Sequence, residues 1–383
     1  MNLLSVSAFA RQYDCDNDRD PNMYNCYNSI DGSYAYRSGQ RGDWNRDDRL
    51  GTSGSYWWVF SGVGGDSADF YAWLANAAFT DTRAEYSANS DRMLTINQNT
   101  APSGWSYVGS NSRPGGVQVS HGSGRTGADL IRVLANDGLT DDDEANQTSS
   151  CGQVAPLAPE VAIIQQNMLN AVDRYRDVKG AFHVFFSNNG QDDRVEFKIS
   201  EQDQRSFVRT TPRGGNAVEE TSSAVSSLVL YPERAMFRRS AHTPISHAPS
   251  ARHFFNKACE SVYVRRQDPA WAHAANEITL PSNYAFWLTD SDAKVVGQET
   301  LLSRKVTVVA GRHDWYLGTK LGASAFKMWI DDETGVLLKL SGTDDRGRVV
   351  YAIDVTDIQF DRGVGLGEFS LEEPVGWANI GLQ

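Results

Sequence analysis

The sequence lacks any apolar run that reaches the roughly 18 residues needed for a membrane-spanning helix. It also lacks an excess of positive charge: the formal net charge is −12, which opposes general binding to nucleic-acid phosphates. Cysteine is scarce, with 4 residues in 383, and none has the CxxC spacing of zinc or thioredoxin-type sites. These absences argue against a membrane-spanning helix, a general nucleic-acid-binding protein and a zinc domain.

The four cysteines allow three disulfide pairings. We favour Cys15–Cys26, because the 10 residues between them close easily into a loop, which leaves Cys151 to pair with Cys259. Four free thiols are the alternative.

The first ten residues, "MNLLSVSAFA", are apolar and end in the small-x-small pattern of a signal-peptidase site. A basic segment before them is missing, so we interpret residues 1–10 as the remnant of a signal peptide, with an ordinary first strand as the alternative. Together with the expected disulfides, this predicts an extracytoplasmic location: periplasm, cell envelope or secreted.

Composition divides the rest of the chain. Residues 11–140, rich in Asp, Asn, Gly and Ser, predict a small, loop-rich α+β domain of unknown role, with helices at 67–79 and 127–137. Residues 141–158 are acidic, then small and polar, then proline-bearing, as linkers are. Residues 159–383 predict a leading helix of about seventeen residues, then antiparallel strands, with a further helix at 250–261.

The clearest hairpin is "AFKMWIDDETGVLLKL", residues 325–340, in which apolar residues alternate on both sides of a turn at Gly335. Similar pairs flank the turns at 188–190, 232–234 and 344–347. Such strands place a bulky apolar set on one face, which either the protein's own helices or a bound apolar ligand must cover. The candidates for an apolar cavity are Phe182, Val184, Phe186, Val195, Phe197, Ile199, Phe326, Met328, Ile330, Leu338 and Leu340. A closed core without a cavity is the alternative.

The order of these elements resembles the LolA/RseB-like superfamily over residues 155–375. The segment "APEVAIIQQNMLNAVDRYRDVKGAFHVFF" is similar to its opening helix and first strand, and "AFKMWIDDETGVLLKL" to its late hairpin with an "ETG" turn. The resemblance implies an unclosed antiparallel β-barrel wrapped over a few helices. The expected fold class is therefore α+β, with this half-barrel preceded by the separate small domain.

The resemblance also implies a function in the cell envelope. Such proteins hold acyl chains of lipids or lipoproteins in an apolar cavity, as carriers in transport and sorting, and need no catalytic residues or cofactors. An envelope-stress sensor of the RseB type, reporting lipoproteins to a membrane protein partner, is the first alternative. We expect a monomer. Net positive charge in residues 232–266 suggests headgroup or membrane contact through Arg234, Arg238, Arg239, Arg265 and Arg266, with an ordinary solvated face as the alternative.

A second alternative is a hydrolase in the N-terminal domain, with Cys15 or Cys26 activated by His121 and the C-terminal domain acting as a targeting module. No flanking motif supports it, and we predict no catalytic residue. The Gly-rich segment 120–129 precedes a predicted helix, whose N-terminus could bind an anion. The alternating aspartates in "DCDNDRD" favour an acidic turn over a calcium loop, because the glycine and glutamate of an EF-hand are absent. We predict no metal site.

Overall fold

The computed structural model of the chain describes residues 11–17, 26–41, 47–60, 67–89, 91–112, 115–135, 151, 157–242, 250–256, 258–289 and 291–380. The expected signal-peptide remnant at 1–10 and nearly all of the expected linker at 141–158 lie outside these residues, so both stay predictions, as does the division into domains. Below, the N-terminal region denotes the described residues of 11–135, and the C-terminal region those of 157–380.

The N-terminal region forms strands in two sheets. The strands are β1 (Arg11–Cys15), β2 (Cys26–Ser38), β3 (Asp47–Phe60), β4 (Ala68–Leu74), β5 (Ala84–Ala88), β6 (Asp91–Ile96), β7 (Gly104–Asn111), β8 (Gly116–Ser120), β9 (Thr126–Ala128) and β10 (Ile131–Ala135). The first sheet contains β1-β10-β4-β7 in that order, and the second contains β2-β3-β8-β5-β6 with β9 beside β3. Tyr56 of the second sheet and Phe70 of the first belong to one hydrophobic cluster, so the two sheets pack face to face.

The predicted helices at 67–79 and 127–137 are wrong, because these segments contain β4, β9 and β10. In β4 the spacing of apolar residues resembles that of a helix because both faces of the strand are buried. Phe70 packs between the two sheets, whereas its neighbour Tyr71 packs in a separate cluster on the other side. A strand that is covered on both sides does not show the alternation of a half-buried strand.

The predicted helix at 250–261 is also wrong. The segment forms β17 (Arg252–Phe255) and β18 (Ser261–Val264), an antiparallel hairpin. β18 runs parallel to β7, with Val262 opposite Trp105, so this hairpin from the C-terminal region extends the first sheet. Phe254 lies in the same cluster as Trp105, and their packing favours the extended conformation here.

The remaining strands of the C-terminal region form one long sheet. They are β11 (Asp177–Phe186), β12 (Gln191–Ser200), β13 (Arg205–Pro212), β14 (Val218–Ser222), β15 (Ser226–Tyr231), β16 (Met236–Ala241), β19 (Lys294–Leu301), β20 (Arg304–Arg312), β21 (Ala325–Asp331), β22 (Leu337–Thr343), β23 (Val349–Phe360) and β24 (Ala378–Asn379). Their order is β19-β20-β21-β22-β23-β11-β12-β13-β14-β15-β16-β24, and every contact is antiparallel except that of β24 with β16. The end strands do not pair with each other among the described residues, so the sheet is open. The four predicted hairpins are present.

Short helices contribute to the core beside the long sheet. They are α1 (Pro159–Leu169), α2 (Asn276–Thr279), α3 (Ser282–Trp287) and α4 (Trp315–Leu321). α1 begins at Pro159 as predicted, but a 3-10 turn at Ala171–Asp173 replaces the expected last turns. A single buried cluster contains residues of all four helices and of the apolar face of the sheet. Its helix members include Val161, Ile278, Phe286 and Leu317.

The described part of the chain is therefore mostly β, with open sheets. The expected α+β character is limited to the short helices of the C-terminal region, and the described residues of the N-terminal region form no helix. None of the described helices has the length and hydrophobicity that crossing a membrane requires.

Candidate functional site

The eleven residues predicted to line an apolar cavity lie in the protein's own core. Their exposed fractions range from 0 to 3%, and all of them belong to the buried cluster that includes the helices. Phe182 and Phe197 pack against each other with ring centroids 6.1 Å apart, and Phe326 packs against Trp287 of α3. Two of the eleven, Val184 and Val195, also line a cleft. The structure thus brings the predicted set together in one buried cluster that also contains residues of the helices.

The cleft has a volume of about 580 Å³ and lies between the N-terminal region and strands β11 to β16 of the long sheet; we call it the central cleft. Its N-terminal wall consists of Asp31, Thr52, Ser53, Gly54, Ser55, Thr82, Arg83, Gln118, Ser120, His121, Gly122 and Ser123. Its C-terminal wall consists of Val184, Gln191, Asp193, Val195, Thr210, Pro212, Asn216, Ala217, Val218, Tyr231, Pro232, Glu233, Arg234, Arg238, Ala274, Glu277 and Ile380. The lining is mixed, with valines beside charged and hydroxyl-bearing residues, which suits an amphipathic ligand.

Two carboxyl groups in the central cleft hold their protons more tightly than usual. Burial raises the pKa of Asp193, although hydrogen bonding from Gln191, whose amide nitrogen lies 3.0 Å from the carboxylate, opposes the rise. Burial likewise raises the pKa of Glu277, which accepts hydrogen bonds from Tyr284 and, at 2.8 Å, from Asn97. Burial in the cleft walls therefore favours the protonated form of both groups.

The five arginines predicted to contact headgroups do not form one surface. Arg238 pairs with Glu85 at 3.0 Å, Arg239 with Glu373 at 2.6 Å, and Arg266 with Asp173. Arg265 is buried, donates a hydrogen bond to Asn283 and lines a small cavity of about 80 Å³ together with Arg266. Arg234 and Arg238 line the central cleft, so these two remain candidates for contact with a ligand.

A buried ion-pair network, which no sequence signal indicated, joins the two regions beside the central cleft. Arg92 of β6 lies 3.0 Å from Glu85 of β5 and 3.4 Å from Glu220 of β14, and Glu85 also pairs with Arg238 of β16. Burial alone would raise the pKa of Glu85, but Arg238 and Arg92 outweigh it and lower the pKa to about 2. We call these four residues the interface network. The two pairs that join the regions, Arg92–Glu220 and Arg238–Glu85, connect residues more than a hundred positions apart, beyond any local pattern.

Two neutral histidines adjoin the interface network. Burial, and then the charge of Arg92, lower the pKa of His242 to about 3 and that of His273 well below its usual range. The ring of His242 stacks on Trp271 with centroids 4.1 Å apart. Both histidines therefore pack beside the network as neutral rings.

The cysteines form the expected disulfides, Cys15–Cys26 and Cys151–Cys259, and no free cysteine is present. This contradicts the suggested thiol–imidazole pair, because neither Cys15 nor Cys26 has a thiol. His121 instead lies 2.9 Å from the hydroxyl of Thr126 through its Nδ1 atom.

The Gly-rich segment 120–129 contains β9 and is followed by β10, not by a helix, so the anion site expected at a helix N-terminus is wrong. The backbone amides of Gly122 and Ser123 instead donate hydrogen bonds to the buried carboxylate of Asp81, at 2.9 and 2.8 Å. The hydroxyl of Thr126 donates to the same carboxylate at 2.5 Å. The loop does bind an anion, and that anion is the protein's own side chain.

The fold and the cleft define an open-sheet β protein with a ligand-sized cleft between two regions of the chain. No family model and no curated protein matches it. Among solved structures, the chain is similar to the Pseudomonas aeruginosa MucA/MucB complex structure, with 15% identity, a TM-score of 0.34 and coverage of 56% of this chain and 61% of that chain. It is also similar to the Mycobacterium tuberculosis lipoprotein LppX, with 13% identity, a TM-score of 0.31 and coverage of 54% and 98%.

A third similar structure is a domain from Vibrio parahaemolyticus assigned to outer-membrane lipoprotein sorting, with 11% identity, a TM-score of 0.21 and coverage of 55% of this chain and 94% of that chain. The chain thus spans less than two thirds of the MucB structure and nearly all of the other two. The resemblance inferred from the sequence is found in the structural comparison as well. TM-scores below 0.5 leave the function to be argued from the site itself.

Proposed function

We propose that this protein is a non-enzymatic, extracytoplasmic binding protein that holds an acyl chain of a lipid or lipoprotein in the central cleft. The observation that carries the proposal is the cleft of about 580 Å³ beside the open sheet. Protein sites for small molecules measure roughly 300–1,000 Å³, are mainly apolar and contain a few polar groups that fix orientation. The central cleft is more polar than that, which favours a ligand with a polar end.

The acyl chain would lie along the valines of the C-terminal wall. Val218 is half-buried and supplies apolar surface there, with the buried Val184 and Val195 in the same wall, whereas the other nine predicted cavity residues belong to the buried cluster that includes the helices. Each methylene group removed from water contributes about 0.8 kcal/mol. Partial burial of one chain is therefore enough for useful affinity, and no opening of the core is needed.

The polar end of the ligand would lie near the cationic side chains of the cleft. Arg83 belongs to the N-terminal wall and Arg234 to the C-terminal wall, and Arg234 is exposed. An anionic headgroup would gain charge-assisted hydrogen bonds from guanidinium groups. Both disulfides support an oxidising compartment, as expected for a protein that binds envelope lipids.

The test uses the purified full-length chain with both disulfides intact. Native mass spectrometry followed by solvent extraction would identify a co-purifying lipid, and fluorescence titration with dansyl-undecanoic acid would measure uptake of a defined acyl chain. Thr210→Trp places an indole in the cleft and should lower the affinity at least tenfold. Thr300→Trp makes the same change on β19, at an exposed residue outside the cleft, and should leave the affinity unchanged.

The proposal fails if the wild-type chain neither carries a lipid nor takes up the probe. It also fails if Thr210→Trp binds the probe as well as Thr300→Trp does, because the ligand would then lie elsewhere. Circular dichroism of both variants distinguishes a filled cleft from a lost fold.

A further inference from the structure

Three buried aspartates from distant parts of the chain meet in the N-terminal region. Asp16 follows β1, Asp47 begins β3, and Asp129 lies between β9 and β10. One carboxylate oxygen of each lies within 4.8 Å of the others, and the residues are 0, 8 and 2% exposed. Carboxylates this close, away from water, repel one another, and a bound cation would offset that repulsion.

The amide of Asn17 supplies a second, independent observation. Asn17 is fully buried, and its side-chain oxygen Oδ1 has no hydrogen-bond partner among the residues that the structure describes. The same amide faces the aspartates, because its nitrogen lies 2.9 Å from Oδ1 of Asp47 and 3.5 Å from Oδ1 of Asp129. The two ends of an amide exchange places by a half-turn. That half-turn brings the unpartnered oxygen to the carboxylates, where it becomes a fourth oxygen ligand for a cation.

The chain holds these oxygens in place from outside the cluster. The hydroxyl of Tyr56 donates to the backbone oxygen of Asn17 at 2.6 Å, and the hydroxyl of Tyr36 donates to Oδ2 of Asp47 at 3.1 Å. The amide of Asn28 donates to the backbone oxygen of Asp16 at 2.9 Å, next to the Cys15–Cys26 disulfide. Hydrogen bonds of this kind orient ligands before a metal arrives.

We propose that the three aspartates and Asn17 form a Ca²⁺ site. All of the donors are carboxylate or amide oxygens, which hard cations prefer, and no nitrogen or thiolate ligand that would favour zinc or copper takes part. The ligands come from the ends of strands and from a connection between strands, which suits the irregular coordination of Ca²⁺ better than the strict octahedron of Mg²⁺. The bound ion would tie residues 16–17, 47 and 129 together.

The site differs from the calcium loop considered from the sequence. That loop would have used the alternate aspartates beginning at Asp14, whereas Asp14 forms an ion pair with Arg132 at 2.8 Å. Asp16 alone is common to both, and Asp18 and Asp20 lie outside the described residues. The site is also separate from the central cleft and does not depend on the proposed function.

Isothermal titration of the chelator-treated full-length chain with Ca²⁺ tests the proposal. We expect one site per chain and a rise in the unfolding temperature of about 3 °C or more at a Ca²⁺ concentration a hundred times Kd. Tyr36 and Tyr56 hydrogen-bond to the cluster, so Tb³⁺ in place of Ca²⁺ should show tyrosine-sensitised emission. Asp129→Asn should weaken binding at least tenfold, and the exposed control Asp357→Asn should leave it unchanged.

Asn17→Asp provides a test that a variant failing to fold cannot imitate, because the expected result is a gain. A fourth carboxylate increases repulsion in the metal-free chain and strengthens attraction to the ion, so Ca²⁺ should raise the unfolding temperature of this variant more than that of the wild type. The proposal is overturned if millimolar Ca²⁺ gives neither heat nor a thermal shift with the wild type. It is equally overturned if Asp129→Asn binds like Asp357→Asn, and binding of Mg²⁺ in preference to Ca²⁺ would contradict the assigned ion.

Discussion

Replacing Glu85 with glutamine tests whether the interface network holds the two regions of the protein together. Glu85 is 5% exposed and pairs with both Arg92 and Arg238, so Glu85→Gln leaves the buried Arg92 and the half-buried Arg238 with less opposite charge. Removing one partner of a buried ion pair costs about 3–5 kcal/mol. The lowered pKa, about 2 against an ordinary 4.5, corresponds to about 3 kcal/mol of favourable interaction with the ionised group.

The assay is urea unfolding at pH 7.5 with the disulfides intact, followed by tryptophan fluorescence. Strand β16 provides a matched control, since Arg238 pairs with Glu85 and the next residue, Arg239, pairs with the half-exposed Glu373. An exposed pair contributes only about 0–1 kcal/mol, so Glu373→Gln should cost little. We expect the free energy of unfolding to fall by about 3 kcal/mol for Glu85→Gln.

The pH dependence of this difference has a definite sign. Because the folded-state pKa of Glu85 is lowered, its stabilising contribution is complete above about pH 4.5 and is lost as the pH falls towards about 2. The difference between wild type and Glu85→Gln should therefore be constant from pH 7.5 to 5 and shrink below pH 4.5. Equal costs for Glu85→Gln and Glu373→Gln would refute the reasoning.

Three further predictions concern stability. Burial lowers the pKa of His313 to about 4, so the stability that the neutral imidazole provides is complete above pH 6.5 and shrinks by about 2 kcal/mol at pH 5. The unfolding temperature of His313→Gln should therefore fall less than that of the wild type between pH 6.5 and 5. Parallel curves for the two proteins would contradict this. Replacing Cys151 and Cys259 together by serine opens a disulfide that spans 108 residues and should lower the free energy of unfolding by about 2–5 kcal/mol in urea, whereas an unchanged midpoint would oppose it. Gly335→Ala should lower the free energy of unfolding by about 2 kcal/mol or more in the same assay, because the residue has φ +77° and an added Cβ would lie 2.3 Å from a backbone oxygen of α1. The control Gly347→Ala should lower it less, because Gly347 has a similar φ of +75° but open space around it.

Strands that pair with their neighbours in sequence could be predicted. The turns at Gly190 and Gly335 have positive φ, and the alternation on either side of them is visible because one face of each strand is apolar. Most of the long sheet could therefore be read from local pattern alone. The helix at Pro159 was predicted for a similar reason, since proline at the first helical position and a three- and four-residue spacing are both local signals.

Strands that depend on distant layers could not be predicted. β4 is covered on one face by the second sheet and on the other by a cluster that includes Phe254, nearly two hundred residues further along the chain. No residue close to Phe70 or Tyr71 in sequence indicates that a second layer packs on β4. The spacing of its apolar residues therefore resembled that of a helix.

The candidate site was predicted in part for the same reason. Val184 and Val195 belong to the predicted apolar set, but the opposite wall of the central cleft, with Arg83 and His121, comes from the N-terminal region. Contacts between the two regions also determine which of the apolar residues remain accessible. Sequence patterns describe each wall separately and do not show that the walls face each other.

The pairing of β18 with β7 has a consequence for biosynthesis. Val262 lies opposite Trp105, so the partner of β7 is made long after β7 itself. A chain that emerges amino-terminus first leaves the edge of β7 without its hydrogen-bonding neighbour, and unpaired edges attract strands of other molecules. The first sheet therefore stays incomplete until Val264 has also emerged, and a chain that pauses before that point is exposed to self-association through β7.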